Sequence, residues 1–304
     1  VQIASKVTLP PPAIPCLDVS LISLSMKHRV LSTICLLAIF PSLALAWGGD
    51  GHQLVCLIAE DRLTPAAKAG IHDLLGKDVN ISDAELASWA DNVRRERRET
   101  GPWHYVNVPV NVSTTQPATQ ATFNEARDGD DGNNVVDKIT DFEKVLKDPN
   151  AKKTEKAEAL KFLVHFVGDL HQPLHCAERN KDKGGNSRLV FFLARQRATN
   201  LHSVWDSAIL LNRKGTTRNV DYSDKLNKAI TPEQAAVWEK GTPVDWANES
   251  HDLAVTVAYK GVPVDGPPPK LDQKYLDAAG LVIDQQLQRG GVRLARILNE
   301  AFEK

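Results

Sequence analysis

The run from Phe162 to Cys176, FLVHFVGDLHQPLHC, sets His165, Asp169, His171 and His175 inside an otherwise apolar stretch. Soluble cores seldom take up so many ionisable groups, because burying a charge without a partner is costly. If the run is helical, His165 and Asp169 stand at i and i+4 and project from one face, one turn apart. That spacing suits two ligands of one metal ion. Pro173 has no N–H to donate and ends or kinks the helix near Gln172, so that His175 turns back instead of following the helical drift. A core helix with satisfied histidines accounts for any one of these residues, whereas three histidines and an aspartate in one run favour a clamp. His171, two positions after Asp169, points away from that face and reads as a core or supporting group.

The chain has 304 residues, 37 basic and 38 acidic side chains and 42% hydrophobic residues, enough for a large single core. Its near-neutral charge excludes a broad basic surface of the kind that binds duplex DNA through many phosphates. The N-terminal segment is expected to lie outside the fold. Lys27, His28 and Arg29 form a basic start, Val30 to Phe40 an apolar core too short to span a bilayer, and Ala44-Leu45-Ala46 a small-x-small cleavage site. Residues 26–46 therefore read as a signal peptide, and residues 1–25, ahead of the only methionine, Met26, as an over-extended gene start. The mature protein would be residues 47–304, a single catalytic domain exported to a periplasm or secreted, without a membrane anchor and monomeric. Cys56 and Cys176 remain in it, either as one disulfide or as two buried thiols.

Taken in order, the mature chain is patterned as helices. WGGDGHQLVCLIAEDRL opens with glycines, and His52 stands at the start of the first helix. Thr64-Pro65 starts a second helix that runs to about Leu75, before Gly76. Ser82 with Glu85 three residues on reads as a capping box for a helix carrying Trp89, Asp91 and the cluster Arg94, Arg95, Arg97, Arg98. WHYVNVPV is expected to be extended, and Asn111 to Thr122 a polar loop. RDGDDGNN lacks the central glycine and terminal glutamate of a calcium loop and reads as a turn before a helix from Val135 to Leu146. A long helix from Lys152 leads into the opening run, and a Gly184-Gly185-Asn186 turn follows. Leu189 to Leu193 is the most strand-like run, suited to a small hairpin. LHSVWDSAIL repeats the i,i+4 spacing with His202 and Asp206. The remainder is mostly helix, with GVPVDGPPPK linking the last two. The fold class is mainly α, with a small β-hairpin.

The candidate ligands are His52, Asp91, His104, His165, Asp169, His175, His202 and Asp206. Imidazole and carboxylate without thiolate suit zinc, with manganese or iron less apt, and argue against oxygen-only calcium or magnesium cages. Eight ligands exceed the needs of one tetrahedral ion and imply a cluster. With Asp169 bridging, two or three ions could share a cleft, an arrangement suited to hydrolysing phosphoesters. His72 and His251 show no ligand spacing and read as surface residues.

WGGDGH, WADNVR, WHYVNVP, HFVGDLHQPLH, GGN and NLHSVWD, in this order and spacing, resemble the zinc-dependent single-strand-specific nucleases, the family of mung bean nuclease and the plant bifunctional nucleases. The resemblance runs from Trp47 to Asp206 and implies the multi-helix fold shared with zinc-dependent phospholipase C. It implies three Zn2+: one held by Asp91, His104, His165 and Asp169, a second by His175, His202 and Asp206, and a third by Trp47, His52 and the bridging Asp169. Trp47 would bind through its α-amino nitrogen and carbonyl once the signal peptide is removed, since an α-amino group titrating at roughly 7.7–8.0 yields its proton readily to zinc.

The implied activity is endonucleolytic hydrolysis of single-stranded DNA and RNA to 5′-phosphorylated products, with 3′-nucleotidase action on 3′-nucleotides. Water activated by the cluster would attack in line, with Asp91 orienting or deprotonating it and Arg94 stabilising the phosphate. Read alone, Arg94 is as well a surface arginine. Tyr105 would stack on a base and Asn186 make a polar contact to substrate, although Tyr105 also suits a core. Stacking requires an unpaired base, a physical reason for single-strand preference. Asn107 stands where related sequences often carry an acidic residue, and part of the family's cysteine set is missing, for instance near Asn134. The alternative is a zinc-dependent phospholipase C. That family tends to place Glu at the last ligand position, where this chain has Asp206, and lacks the WHY segment in this form. A metal-storage protein of the envelope is a third reading.

Overall fold

The computed structural model of the chain describes residues 47–110 and 121–303. Residues 1–25, the signal segment 26–46 and nearly all of the polar loop from Asn111 lie outside them. The helices are α1 (Gly49–Glu60), α2 (Pro65–Leu75), α3 (Ala84–Ala87), α4 (Trp89–Glu96), α5 (Glu125–Asp128), α6 (Val135–Lys147) and α7 (Lys153–Leu170). After them come α8 (Leu201–Ser203), α9 (Ile209–Lys214), α10 (Asn219–Lys228), α11 (Pro232–Trp238), α12 (Pro243–Leu253) and α13 (Gln273–Phe302). The fold is mainly α. Strands β1 (Leu189–Phe192) and β2 (Thr199–Asn200) form the expected antiparallel hairpin, and β3 (Lys270–Leu271) joins β1 in parallel. This third strand comes from the Pro-rich linker. It is too short to carry a period of its own, and only its distant partner reveals it.

The centre of the molecule is α7, whose residues from Phe162 to Leu170 are buried without interruption. It is enclosed by α1, α6 and α13. A helix apolar all round must be covered all round, and these neighbours supply the cover. Trp89 and Trp103 pack edge-on against Phe162, with centroids 5.0 and 5.5 Å away. Among the described residues no helix is long and apolar enough to cross a membrane. Cys56 and Cys176 are both free and buried, which settles the choice left open by their spacing in favour of two thiols.

Several local expectations hold. Thr64 caps α2 by accepting from the Ala67 amide at 3.2 Å, with Pro65 at the first helical position and Gly76 at the end. Asn134 caps α6, so RDGDDGNN is a turn before a helix. Others are corrected. Ser82 is no cap: its hydroxyl donates to Glu60 on α1, and α3 begins after Asp83 without a side-chain cap. The expected single helix around Trp89 is broken at Ser88 into α3 and α4. Trp103 and His104 close a 3-10 turn (Arg98–His104), and the extended backbone starts only at Tyr105. His251 is fully buried, because it shares the inner face of α12 with Trp246, Ala247 and Ser250. His72 is half-buried.

Candidate metal centre

Four helices and three turns deliver the expected side-chain ligands to one place. α7 contributes His165 and Asp169 from the same face, as their i,i+4 spacing requires. Its end is set by His171, and Gln172 then starts a 3-10 turn, Pro173–Cys176, in which its side-chain carbonyl accepts from the Leu174 amide at 2.6 Å. The kink at Pro173 is real. It redirects His175 towards His202, which lies on α8. A π-helical turn, Val204–Ala208, follows α8 and carries Asp206. π-turns concentrate at functional sites, where the extra residue re-aims a side chain. Asp91 comes from α4, His104 from the end of the 3-10 turn, and His52 from α1.

Asp169 is the hub. Its Oδ2 lies 2.9 Å from His104 Nδ1 and 3.4 Å from His165 Nε2, and its Oδ1 lies 3.3 Å from His52 Nε2 and 3.7 Å from His175 Nδ1. Asp91 Oδ1 completes this half at 3.9 Å from His165 Nε2 and 4.0 Å from His104 Nδ1. In the other half, Asp206 stands 3.5 Å from His202 Nε2 and 3.8 Å from His175 Nε2. The ligand atoms of His104, His165 and Asp169, and those of His175, His202 and Asp206, each lie within 4.8 Å of one another. His52 lies within the same cluster. It stacks on His165, with centroids 3.7 Å apart, and its ligand atom groups with those of Asp91 and His165 while keeping its contact with Asp169. Trp47 is buried, and the neighbouring Gly48 amide donates to the Asp206 carbonyl at 2.9 Å, which brings the Trp47–Gly48 backbone beside the second half.

Hydrogen bonding on the far side of each ring decides which nitrogen faces the cluster. His165 Nδ1 lies 2.8 Å from the Ala87 carbonyl, His175 Nδ1 2.8 Å from that of His104, and His202 Nδ1 2.7 Å from that of Gly184. A carbonyl can only accept, so in each neutral ring Nδ1 carries the proton and Nε2 presents a lone pair. The Nε2 atoms of His175 and His202 then face each other at 3.1 Å, lone pair to lone pair. His165 Nε2 likewise points its lone pair at two carboxylates. Such arrangements repel unless a cation sits between them, and His52, His165, Asp91 and Asp169 each keep a buried donor atom without a hydrogen-bond partner. The residues thus fit divalent ions of the zinc type, whose ligating histidines typically give their other ring N–H to a backbone carbonyl.

The electrostatics agree. Burial lowers His52 and His202 from 6.5 to about 4, and holds His104 and His175 well below the ordinary range, so the rings are neutral and competent as ligands at pH 7. Burial raises Asp169 and Asp206 well above the usual carboxylate range; these sites need positive charge before both can ionise. Arg94 Nη2 lies 3.4 Å from Asp91 Oδ1, one turn along α4. Tyr105, next to His104, is 40% exposed and does not belong to the core. Asn186 is half-buried in the Gly-Gly-Asn turn and donates to the Lys183 carbonyl at 2.8 Å.

Some supporting groups carry no ligand signature in the sequence. Gln172 Nε2 donates to Asp206 Oδ1 at 2.6 Å, orienting that carboxylate. Its signal was a polar side chain inside an apolar run. Gly184 sits at φ +60, and a Cβ there would lie 2.4 Å from the Leu174 carbonyl, so only glycine lets its own carbonyl reach His202. The His171 ring accepts from Arg293 and takes no part in the cluster, as its position two after Asp169 suggests.

The S1/P1 Nuclease family model matches residues 47–303. Endonuclease 2 of Arabidopsis thaliana is 33% identical over 289 residues, covering 89% of this chain and 95% of that protein. Nuclease P1 of Penicillium citrinum is 29% identical over 273 residues, covering 84% and 97%, and Nuclease S1 of Aspergillus oryzae is 27% identical over 276 residues, covering 84% and 92%. With a match spanning nearly all the described residues and relatives aligned over almost their whole lengths, the chain belongs to the S1/P1 nuclease family.

Proposed function

We propose that the protein is an exported zinc-dependent endonuclease that hydrolyses single-stranded DNA and RNA to 5′-phosphorylated products and also removes the phosphate of 3′-nucleotides. The observation that carries this reading is Asp169, whose two oxygens lie within 3.7 Å of four imidazoles at the centre of one buried cluster of ligand atoms. Family membership supplies the reaction class, and the names of the relatives, endonucleases and nucleases, agree with it.

Asp91, His104, His165 and Asp169 would hold one zinc, His175, His202 and Asp206 a second, and Trp47 and His52 with Asp169 a third. Bound zinc would supply Lewis-acid polarisation of the phosphate and acidify water at neutral pH. Around it the chain's own groups divide the work. The Asp91 carboxylate, held between Arg94 and the two imidazoles, accepts the proton of the attacking water. Arg94 brings a fixed positive charge to the edge of the cluster and offsets the charge that builds on the non-bridging phosphate oxygens. Tyr105, exposed beside His104, stacks on an unpaired base, and the Asn186 amide contacts the substrate from the Gly184-Gly185-Asn186 turn. Base pairing removes that stacking face, which accounts for single-strand preference. Residues 26–46 direct export, and residues 47–304 act as one monomeric catalytic domain.

The test is hydrolysis of single-stranded DNA, RNA and phosphatidylcholine by the purified protein, with and without a chelator. Cleavage of both nucleic acids, abolished by chelation and restored by zinc, is expected. Activity on the lipid alone overturns the nuclease reading in favour of a phospholipase C, and no hydrolysis at all overturns catalysis.

A further inference from the structure

The segment between Asp169 and His175 is short, buried and bent, and both halves of the cluster depend on its shape. Its carbonyls are held from outside by the C-terminal helices. Leu170 O accepts from Ser250 Oγ at 2.6 Å, His171 O from Gln286 Nε2 at 3.1 Å, and Cys176 O from His251 Nδ1 at 3.0 Å. Gln286 Nε2 also donates to Ser250 Oγ at 3.0 Å, and Gln286 Oε1 accepts from Arg289 at 3.2 Å, so both ends of this fully buried amide are engaged. One heptad further along α13, Arg293 Nη1 donates to His171 Nε2 at 2.9 Å, while its other nitrogens meet the Trp238 carbonyl at 3.0 Å and Glu249 at 2.7 Å. A single face of α13 therefore grips His171 twice, by its backbone carbonyl and by its ring.

A buried amide is expensive unless it is satisfied, and a packed apolar residue would serve stability as well. Here every partner of Gln286 on the turn side lies in, or leads to, the bend after Asp169. We propose that Gln286 is a positioning residue: with Ser250 and Arg293 it fixes the Leu170–Cys176 bend and so sets the spacing between the His165–Asp169 half and the His175–His202–Asp206 half of the cluster. This inference rests on the metal-centre reading above. It concerns residues distant in sequence from the ligands they serve, on helices that contribute no ligand.

The experiment compares Gln286→Met and Ser250→Ala with Ile297→Val and Leu298→Ala, core changes on α13 beyond the network, in the purified full chain. Each is measured for zinc affinity by competition with a chromophoric chelator, for the visible spectrum of the cobalt-loaded form, and for the urea midpoint of the metal-free form. Gln286→Met is expected to weaken zinc binding about 10- to 100-fold, as loss of groups that support metal ligands does, and to shift the cobalt spectrum. The two control variants are expected to lower the urea midpoint while leaving affinity and spectrum at wild-type values. If Gln286→Met does not fold, Ser250→Ala carries the test, since Leu170 O keeps the Cys176 thiol at 3.4 Å. Wild-type zinc affinity and an unchanged spectrum in the folded variants, with only the urea midpoint reduced, would overturn the inference. A wild-type protein that takes up no zinc would overturn the metal-centre reading and the inference with it.

Discussion

Gln172 and Asp206 are joined by a 2.6 Å hydrogen bond that ties the bend after α7 to the π-turn after α8. The same amide accepts from the Leu174 amide, so Gln172 holds its own turn and the carboxylate together. Gln172→Leu removes both bonds and leaves the Leu174 N–H and Asp206 Oδ1 buried without them. Zinc affinity should fall about 10- to 100-fold. The metal-free protein should lose about 1–3 kcal/mol in urea unfolding.

Gly168 lies on α7 where a Cβ would stand 2.7 Å from His52 Nδ1. The His52 ring is trapped between this glycine and His165, on which it stacks. Gly168→Ala should cost about 1–3 kcal/mol through overpacking. Because the strain falls on a ligand, metal content measured by elemental analysis should drop with it. An alanine variant with wild-type metal content would place His52 outside the cluster.

Tyr105→Ala should leave the melting temperature nearly unchanged, since the ring is 40% exposed. The effect belongs to substrate binding. The loss of one stacking contact, about 1–3 kcal/mol, should raise KM for single-stranded oligonucleotides with a smaller change in kcat. Steady-state kinetics on a short single-stranded substrate checks the split.

The histidines set the acid limb of stability once metal is removed. His52 and His202 each fall from 6.5 to about 4 on folding because burial disfavours the charged ring. Between those values the unfolded chain binds more protons than the folded one. Stability from these rings is therefore complete above about 6.5 and is lost as the pH falls towards about 4. The raised carboxyls of Asp169 and Asp206 act in the opposite sense: above the ordinary carboxylate range the unfolded chain has released these protons while the metal-free fold still holds them, so rising pH costs stability until they ionise in the fold as well. Urea midpoints of chelator-treated protein across this range should show the acid-side loss, and zinc should relieve the penalty on the alkaline side.

The parts of the account that were legible in the sequence are those encoded by local spacing. The pairs His165–Asp169 and His202–Asp206 share helical faces, and Pro173 turns the chain, as their positions require. Thr64 and Asn134 cap helices because a cap is a local hydrogen bond. Ser82 had the local signal too, but a tertiary partner, Glu60, took its hydroxyl. His251 and Gln286 were silent because what gives them meaning is a carbonyl across the fold, 75 and 115 residues away. The association of His52 with Asp91 and His165 is equally non-local, since α1, α4 and α7 must pack before those atoms meet. Strand β3 waited on β1 for the same reason.

The most direct test of the central claim, that Asp169 is shared between the zinc held with His165 and the zinc held with His52, is the zinc content per chain by native mass spectrometry in Asp169→Asn and His175→Ala. Asparagine keeps the shape of Asp169 but loses the negative charge shared among His52, His104, His165 and His175. Asp169→Asn is expected to lose two zinc ions relative to the wild-type protein, and His175→Ala only one. Equal loss in the two variants would contradict the account.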